Sequence, residues 1–503
     1  MLKYSIVIFL KNKSNYKKLA GQKIMNVIFI YSYHIPVSAE KPLRTIGEMH
    51  FGISYIASLL KERGHRIELV VLSPLSGRKN FDILDKYLKN NTYGMACFTA
   101  VTTEYPFMAG IADYIKKNYP EIYLIAGGAH ASLCPDEVIK DSFDALCVGE
   151  GEYPVLELIE KLYRKENPSG IANLWIKTGK EIEKNAPRPF LQDLDLLPFP
   201  EHDVWFQWVN EPVEQNHFIN ILLGRGCPFS CTYCSNHALR KLTSGKYVRL
   251  RNTENIIKEL AFIEKKYPAV NNIYFEIETI TANADWFYDF AEKLKAFNES
   301  ISQKFHYSVN VRITPNVDYE AFFKTLKDCN FSSVNIGLES GSERVRKEIL
   351  NRNYSNDDVI NAVKNAKANE LKVTFYNLIG LPGETEEDFK ETIRLNRLCQ
   401  PDRHLTSIFY PYPGTILYDR CKARGLLNNI NSRLERILPA MDLPEFPKSL
   451  VMKYFILFDY YVYRGNRPFT FLLFKTVQNL IKTNVMTYRL GRKLTLLFSQ
   501  HSH

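Results

Sequence analysis

From Met25 onward, apolar residues run in short unbroken blocks that alternate with stretches of helical spacing. NVIFIYSY, RIELVVL, YGMACFTA and IYLIAGG read as strands buried on both faces, with FGISYIASLLKERG and MAGIADYIKKNYP as helices among them. The short strand DALCVGEGE then runs into the helix YPVLELIEKLYRK. This alternation predicts an α/β domain, a doubly wound parallel sheet of Rossmann-like type, over residues 25–165. Over 166–212 a hairpin-like piece gives way to proline punctuation, which predicts a linker. A second alternation fills 213–420: FINILLGRGC, NIYFEIE, FHYSVNVR, SVNIGLES, KVTFYNLIG and LTSIFYPYP are strands with helices between them, predicting a partial (β/α)6 barrel of TIM type. Residues 421–503 read as a helical C-terminal region broken at Pro468.

Composition adds location more than class. At 503 residues, 45% hydrophobic and 24% charged, the chain can bury several cores. Its formal charge of +10 gathers at the ends: Met1 to Gln22 is lysine-rich, and Arg464 to His503 holds seven Lys/Arg and no acid. Residues 1–24 carry a short apolar run followed by lysines instead of a cleavage site, so they read as a dispensable extension and not an export signal. No stretch is apolar for the length that spans a bilayer. Six of the nine cysteines are scattered singly, mostly in apolar surroundings, as reduced thiols are, which places the chain in the cytoplasm. The aromatic, basic C-terminal stretch fits either a cap on the barrel or helices lying on the inner face of a membrane, where an apolar or lipid substrate would be met. Its basic residues are spread among aliphatics, which opposes nucleic acid as a partner.

The remaining three cysteines, Cys227, Cys231 and Cys234, crowd into GRGCPFSCTYCSN. With His237 they have the ligand count of a zinc site; as a redox pair, Cys231 and Cys234 leave Cys227 unexplained; as ligands of a cubane iron–sulfur cluster they leave the fourth iron open. Polar groups recur at the barrel's strand ends: Glu276 and Glu278, Arg312, Glu339 and Ser340, and Gly380 with LPGE. That is where barrels place their chemistry. In the first domain the loops TAVTT, GGAH and VGEGE set Thr99, Thr102, Gly127, Gly128, His130, Gly149 and Glu150 at strand ends, where doubly wound sheets bind ligands.

The Cys-x3-Cys-x2-Cys loop with Tyr233 before its last cysteine, followed by VNIGLESGSERVRKEILNRNYS, LIGLPGETEEDF and FYPYPGTILYD, resembles the radical S-adenosylmethionine superfamily. FGISYIASLLKERGH, FTAVTTEYP, GGAHASLCPDE and CVGEGE ahead of it make the chain similar to the cobalamin-binding class, which includes carbon methylases and the anaerobic magnesium-protoporphyrin monomethyl ester cyclase. The resemblance implies an enzyme. Cys227, Cys231 and Cys234 would hold a 4Fe–4S cluster, and S-adenosylmethionine would chelate its open iron. An electron from a donor such as flavodoxin or ferredoxin would then release a 5′-deoxyadenosyl radical that takes hydrogen from an unactivated carbon. It further implies Tyr233, Glu278, Arg312, Glu339, Ser340, Gly380 and Pro382 around S-adenosylmethionine, and Thr99, Thr102, Gly127, Gly128, His130, Gly149 and Glu150 around cobalamin. Carbon methylation, cyclase-type ring formation and non-catalytic cobalamin binding all remain open at this point. Two departures stand out. The loop SYHIPVSAE has His34 without the Asp and Gly of an Asp-x-His-x-x-Gly motif, so no histidine is expected below cobalt; and Ile277 precedes Glu278 where the family often has paired acids.

Overall fold

The computed structural model describes residues 24–34, 36–210, 217–428, 430 and 435–483. Its first sheet contains β1 (Asn26–Ser32), β2 (Arg66–Leu72), β3 (Met95–Thr99), β4 (Tyr123–Gly127) and β5 (Ala145–Cys147), all parallel, in the order β2-β1-β3-β4-β5. Val27, Ile28, Ile30, Val70 and Val71 are fully buried, as aliphatic runs must be when helices cover both faces of a parallel sheet. The helices are α1 (Phe51–Glu62), α2 (Lys79–Leu88), α3 (Tyr105–Asn118), α4 (Ala129–Leu133), α5 (Pro135–Val138) and α6 (Glu152–Tyr163). α2 has no counterpart in the sequence reading, although KNFDILDKYL is amphipathic and buries Asn80, Leu84 and Leu88 at helical spacing. The strand order reverses at β1, which opens a crevice beyond the C-terminal ends of β1 and β3.

The stretch expected as a linker is built into the structure. β6 (Leu174–Thr178) and β7 (Glu181–Lys184) form an antiparallel hairpin that extends the sheet past β5. Trp205, on α7 (Asp203–Phe206), and Trp208 are buried, and their indole N–H groups donate to Ser54 Oγ and to the Leu69 carbonyl, each at 2.9 Å. This part of the chain is therefore a strap fastened to α1 and β2.

The second sheet starts at β8 (Phe218–Leu222), which leads into a short antiparallel ribbon of β9 (Gly224–Arg225) and β10 (Arg249–Leu250). β11 (Asn272–Glu276), β12 (His306–Val311), β13 (Phe331–Glu339), β14 (Lys372–Ile379) and β15 (Arg403–Ile408) complete six parallel strands in the order β15-β14-β13-β12-β11-β8. Its helices are α8 (Asn236–Leu239), α9 (Thr253–Lys266), α10 (Ala284–Ser300), α11 (Tyr319–Asp328), α12 (Asn356–Ala368) and α13 (Glu386–Cys399). Among the described residues β8 and β15 do not pair, so the barrel is open. Alternate strand positions differ in kind: Val334, Ile336, Leu338, Val373 and Phe375 are fully buried, whereas the intervening positions are polar. There Tyr274 Oη donates to Asn310 Oδ1 at 2.6 Å and accepts from Asn335 Nδ2 at 3.2 Å.

α14 (Ile416–Ala423), α15 (Lys448–Tyr463) and α16 (Phe469–Lys482) form the C-terminal helical region. α15 buries Val451, Phe458 and Val462 with Phe389 of α13 and Ile408 of β15, and α16 lies on α15. Residues 1–23 of the expected extension and 484–503 lie outside the described residues. Among the described residues no helix is long and apolar enough to cross a membrane.

Candidate active site

The cysteine loop leaves β9 through Gly226, whose φ of +85° and whose position against the Tyr247 carbonyl leave no room for a Cβ. Neighbouring elements then hold the loop. Arg240 donates to the Pro228 carbonyl at 3.2 Å and to Ser230 Oγ at 2.8 Å, and Asn351 Nδ2 donates to the Ser230 carbonyl at 2.9 Å. Thr232 Oγ1 donates to the Ile349 carbonyl at 2.6 Å, at the end of a π-helical turn over Val345–Ile349. His237 is buried, and its Nδ1 has no hydrogen-bond partner among the described residues.

Hydrogen-bond donors are aimed at the sulfurs. Arg312 Nη1 lies 2.9 Å from Cys231 Sγ while its guanidinium stacks 3.8 Å above the Phe229 ring, and both the backbone and side-chain N–H of Asn236 reach Cys234 Sγ at 3.5 Å. Burial pushes the Cys227 thiol up to about 11 and raises that of Cys234, with the Glu278 carboxylate adding to both. Such thiols hold their protons until a cation displaces them. The three sulfurs do not all come within 4.8 Å of one another. A single tetrahedral ion at Zn–S of 2.3 Å would need them about 3.8 Å apart. The donor set fits a larger, multi-iron group better than zinc.

Arg352 is a residue the sequence reading missed, although it lies in the quoted NRNYS stretch. Its buried guanidinium donates to Tyr233 Oη at 2.9 Å and to the Gly337 carbonyl at 2.6 Å, and pairs with Glu339 at 3.3 Å. It thereby joins the cysteine loop to the end of β13, where Glu339 takes a φ of +61° beside a register shift. Glu276 is pushed up to about 7 by burial, with the nearby Glu278 adding to the shift. Ser340 is fully buried and its Oγ lies 3.4 Å from Thr392 Oγ1, so it braces α13 and is not part of an open site. Gly380 and Pro382 are buried as well; the Gly380 and Leu381 N–H groups donate to Glu384, at 2.7 and 3.1 Å, which shapes the turn.

In the first domain, a cavity of about 300 Å³ lies at the strand ends, lined by Phe29, His50, Phe51, Thr99 and the glycines 127, 128, 149 and 151. Its wall continues through Glu150 to Leu222 and Arg225 of the barrel. Gly128 has φ +94° and ψ −173°, and a Cβ there would sit 2.5 Å from Thr99 Oγ1. Such a bare-backbone cradle fits a bulky group that must approach the sheet closely, as cobalamin does. Thr102 and His130 do not line the cavity; they contact each other at 3.2 Å. A second space of about 270 Å³ adjoins it, lined by Tyr31, Tyr33, His34, His50, Thr99 and Glu104.

An ion-pair clamp closes the two domains on each other. Arg225 pairs with Glu150 at 3.0 Å and with Glu152 at 2.6 Å, and Arg249 with Glu150 at 2.8 Å. Glu150 thus lines the cavity and fastens the barrel to it.

Residues 221–395 match the radical SAM superfamily and residues 48–159 the B12 binding domain. An uncharacterized methyltransferase of Pyrococcus horikoshii is 27% identical over 86% of this chain and 91% of its own length. The anaerobic magnesium-protoporphyrin IX monomethyl ester cyclase of Cereibacter sphaeroides is 21% identical over 74% of this chain and 60% of its own. The hopanoid C-3 methylase of Methylococcus capsulatus is 25% identical over 80% and 74%. Among solved structures, the cobalamin-dependent S-adenosylmethionine radical enzyme OxsB with aqua-cobalamin bound shares the fold at a TM-score of 0.68, with 12% identity over 98% of this chain and 80% of that one.

Proposed function

Because its two matched domains make the chain a member of the cobalamin-binding class of the radical S-adenosylmethionine superfamily, we propose that it methylates an unactivated carbon of an apolar small molecule. The observation that carries this reading is the continuity of the crevice: its lining runs from the first sheet to Leu222 and Arg225, and Cys227 follows two residues on. A methyl carrier and a radical source would then share one space.

Cys227, Cys231 and Cys234 would hold the 4Fe–4S cluster, with Arg312 and Asn236 donating to its thiolates. Tyr233, Glu278 and Glu339 would serve S-adenosylmethionine, with Ser340 and the buried Gly380–Pro382 turn supporting from behind. Thr99, Gly127, Gly128, Gly149 and Glu150 would cradle cobalamin. When bound, these groups supply a 5′-deoxyadenosyl radical and a transferable methyl group, with flavodoxin or ferredoxin as the electron source. His50 lines both the cavity and the space that adjoins it. Its Nδ1 accepts from Ile53 N–H at 3.3 Å and burial lowers it to about 4, so the neutral ring carries its proton on Nε2 and would donate to the cofactor rather than ligate cobalt.

Two observations support an apolar substrate taken from a membrane's inner face. Phe469, Leu473, Val477 and Leu480 recur at helical spacing along α16 and are all exposed, beside Arg467 and Lys475, which flank Phe471. The hopanoid methylase is also among the relatives. To test the reading, the reconstituted, reduced chain is incubated with methyl-labelled S-adenosylmethionine, cobalamin, and either a lipid or a polar extract of the source cells. Label in an organic-phase product is expected. Label confined to polar products would remove the apolar substrate, and 5′-deoxyadenosine without methyl transfer would favour ring formation.

A further inference from the structure

Away from the crevice, three side chains carry the chemistry of a cation site. His130 on α4, Cys134 between α4 and α5, and Glu137 on α5 bring a ring nitrogen, a sulfur and a carboxylate oxygen within 4.8 Å of one another. Cys134, at a non-helical φ of −127° and ψ of 47°, joins the two short helices; its N–H donates to the His130 carbonyl at 2.8 Å and its carbonyl accepts from Glu137 N–H at 3.1 Å, which keeps the three residues together. His130 is buried; Nδ1 lies 3.2 Å from Thr102 Oγ1, while Nε2 is buried with no hydrogen-bond partner. An orphaned ring nitrogen keeps its desolvation cost uncompensated. With Thr102 accepting from Nδ1–H, the Nε2 lone pair is the one left for a metal, and a second partner of this kind commonly orients a ligating imidazole. The Tyr105 ring, 4.4 Å away, packs against the imidazole.

Glu137 is exposed and provides the way in.

We propose that His130, Cys134 and Glu137 form a second metal site, separate from the cysteine trio, for a divalent cation of borderline softness such as Zn²⁺, with water in the remaining position. A mixed nitrogen, sulfur and oxygen set with three protein ligands is what zinc accepts in an open tetrahedral site. Leu133, next to Cys134, and Ala238 of α8 both flank Gly414, and α4 packs against α8. The ion would therefore brace α4 and α5 against the helix that follows the cysteine loop.

The test uses the full chain with Cys227, Cys231 and Cys234 all changed to Ala, stripped with chelator and titrated anaerobically with Co²⁺. The expected result is about one equivalent bound, with thiolate-to-cobalt charge-transfer absorption and intense tetrahedral d–d bands. Adding Cys134→Ser should abolish the charge-transfer band, and adding His130→Ala should weaken binding by about tenfold or more. No thiolate band, or one unchanged by Cys134→Ser, overturns the proposal. A second measurement needs no altered background: in the unsubstituted chain Zn²⁺ should slow alkylation of Cys134, read by peptide mass. Equal alkylation with and without Zn²⁺ also overturns it.

Discussion

Gly128→Ala tests the cobalamin cradle at its narrowest point. Gly128 stands at φ +94° and ψ −173°, a region that residues with a Cβ avoid at about 1–3 kcal/mol. The new methyl would also sit 2.5 Å from Thr99 Oγ1, so the Thr99 side chain must turn or the β3 or β4 end must move. Both atoms belong to the cavity lining, and the strain is relieved by distorting the surface that would hold the cofactor. A cost of that size corresponds to about 5- to 150-fold weaker cobalamin binding. The assay is equilibrium dialysis of hydroxocobalamin followed by corrin absorbance, with iron content after reconstitution as the internal control. Iron content should stay at the wild-type level, since the cysteine loop is held by Arg240, Asn351 and Ile349. Adding Thr99→Ala should recover part of the affinity, because it removes the clash and leaves the backbone cost. Affinity within twofold of wild type in Gly128→Ala would refute the cradle.

Arg225→Met should destabilise the chain by about 3–5 kcal/mol in chemical denaturation, because it strips the buried Glu152 of its cation while leaving Arg249 on Glu150. Arg312→Lys keeps the charge but loses the planar group that stacks on Phe229 while donating to Cys231. Cluster assembly should survive, and S-adenosylmethionine cleavage should fall about tenfold or more, as expected for one charged hydrogen bond of about 1.5–3 kcal/mol. Burial pushes Glu104 up to about 7 from an ordinary 4.5, so the folded chain holds a proton that the unfolded chain has lost between those values. Glu104 alone should contribute a fall of about 3 kcal/mol as pH rises through that window, added to that of Glu276, and Glu104→Gln should reduce the slope of pH-dependent unfolding by that share.

Strands and the cysteine loop were legible because each is local. A buried parallel strand is an unbroken apolar run, and three thiols in eight positions need no tertiary information. Six barrel strands therefore appear where the sequence reading puts them. α2 was readable as well, with Phe81, Leu84, Tyr87 and Leu88 at helical spacing, yet the sequence reading omits it. The strap was misread because prolines signal irregular backbone but do not say whether Trp205 and Trp208 are buried under it. Residues that work through distant partners were the least visible. Arg225 and Glu152 are 73 positions apart, and Arg352 reaches Tyr233 across 119. Ser340 shows the opposite limit: its place at a strand end was readable, but the direction of its hydroxyl, toward Thr392, was not.

The central claim is that one chain brings a radical source and a methyl carrier to a single crevice. It is tested most directly by giving the reconstituted, reduced chain methyl-labelled S-adenosylmethionine and cobalamin, then measuring label on cobalt together with 5′-deoxyadenosine. Both products are expected from the wild-type chain, with 5′-deoxyadenosine lost in Cys231→Ala and methylcobalamin lost in Gly128→Ala. Release of 5′-deoxyadenosine with cobalt left unmethylated would contradict the claim.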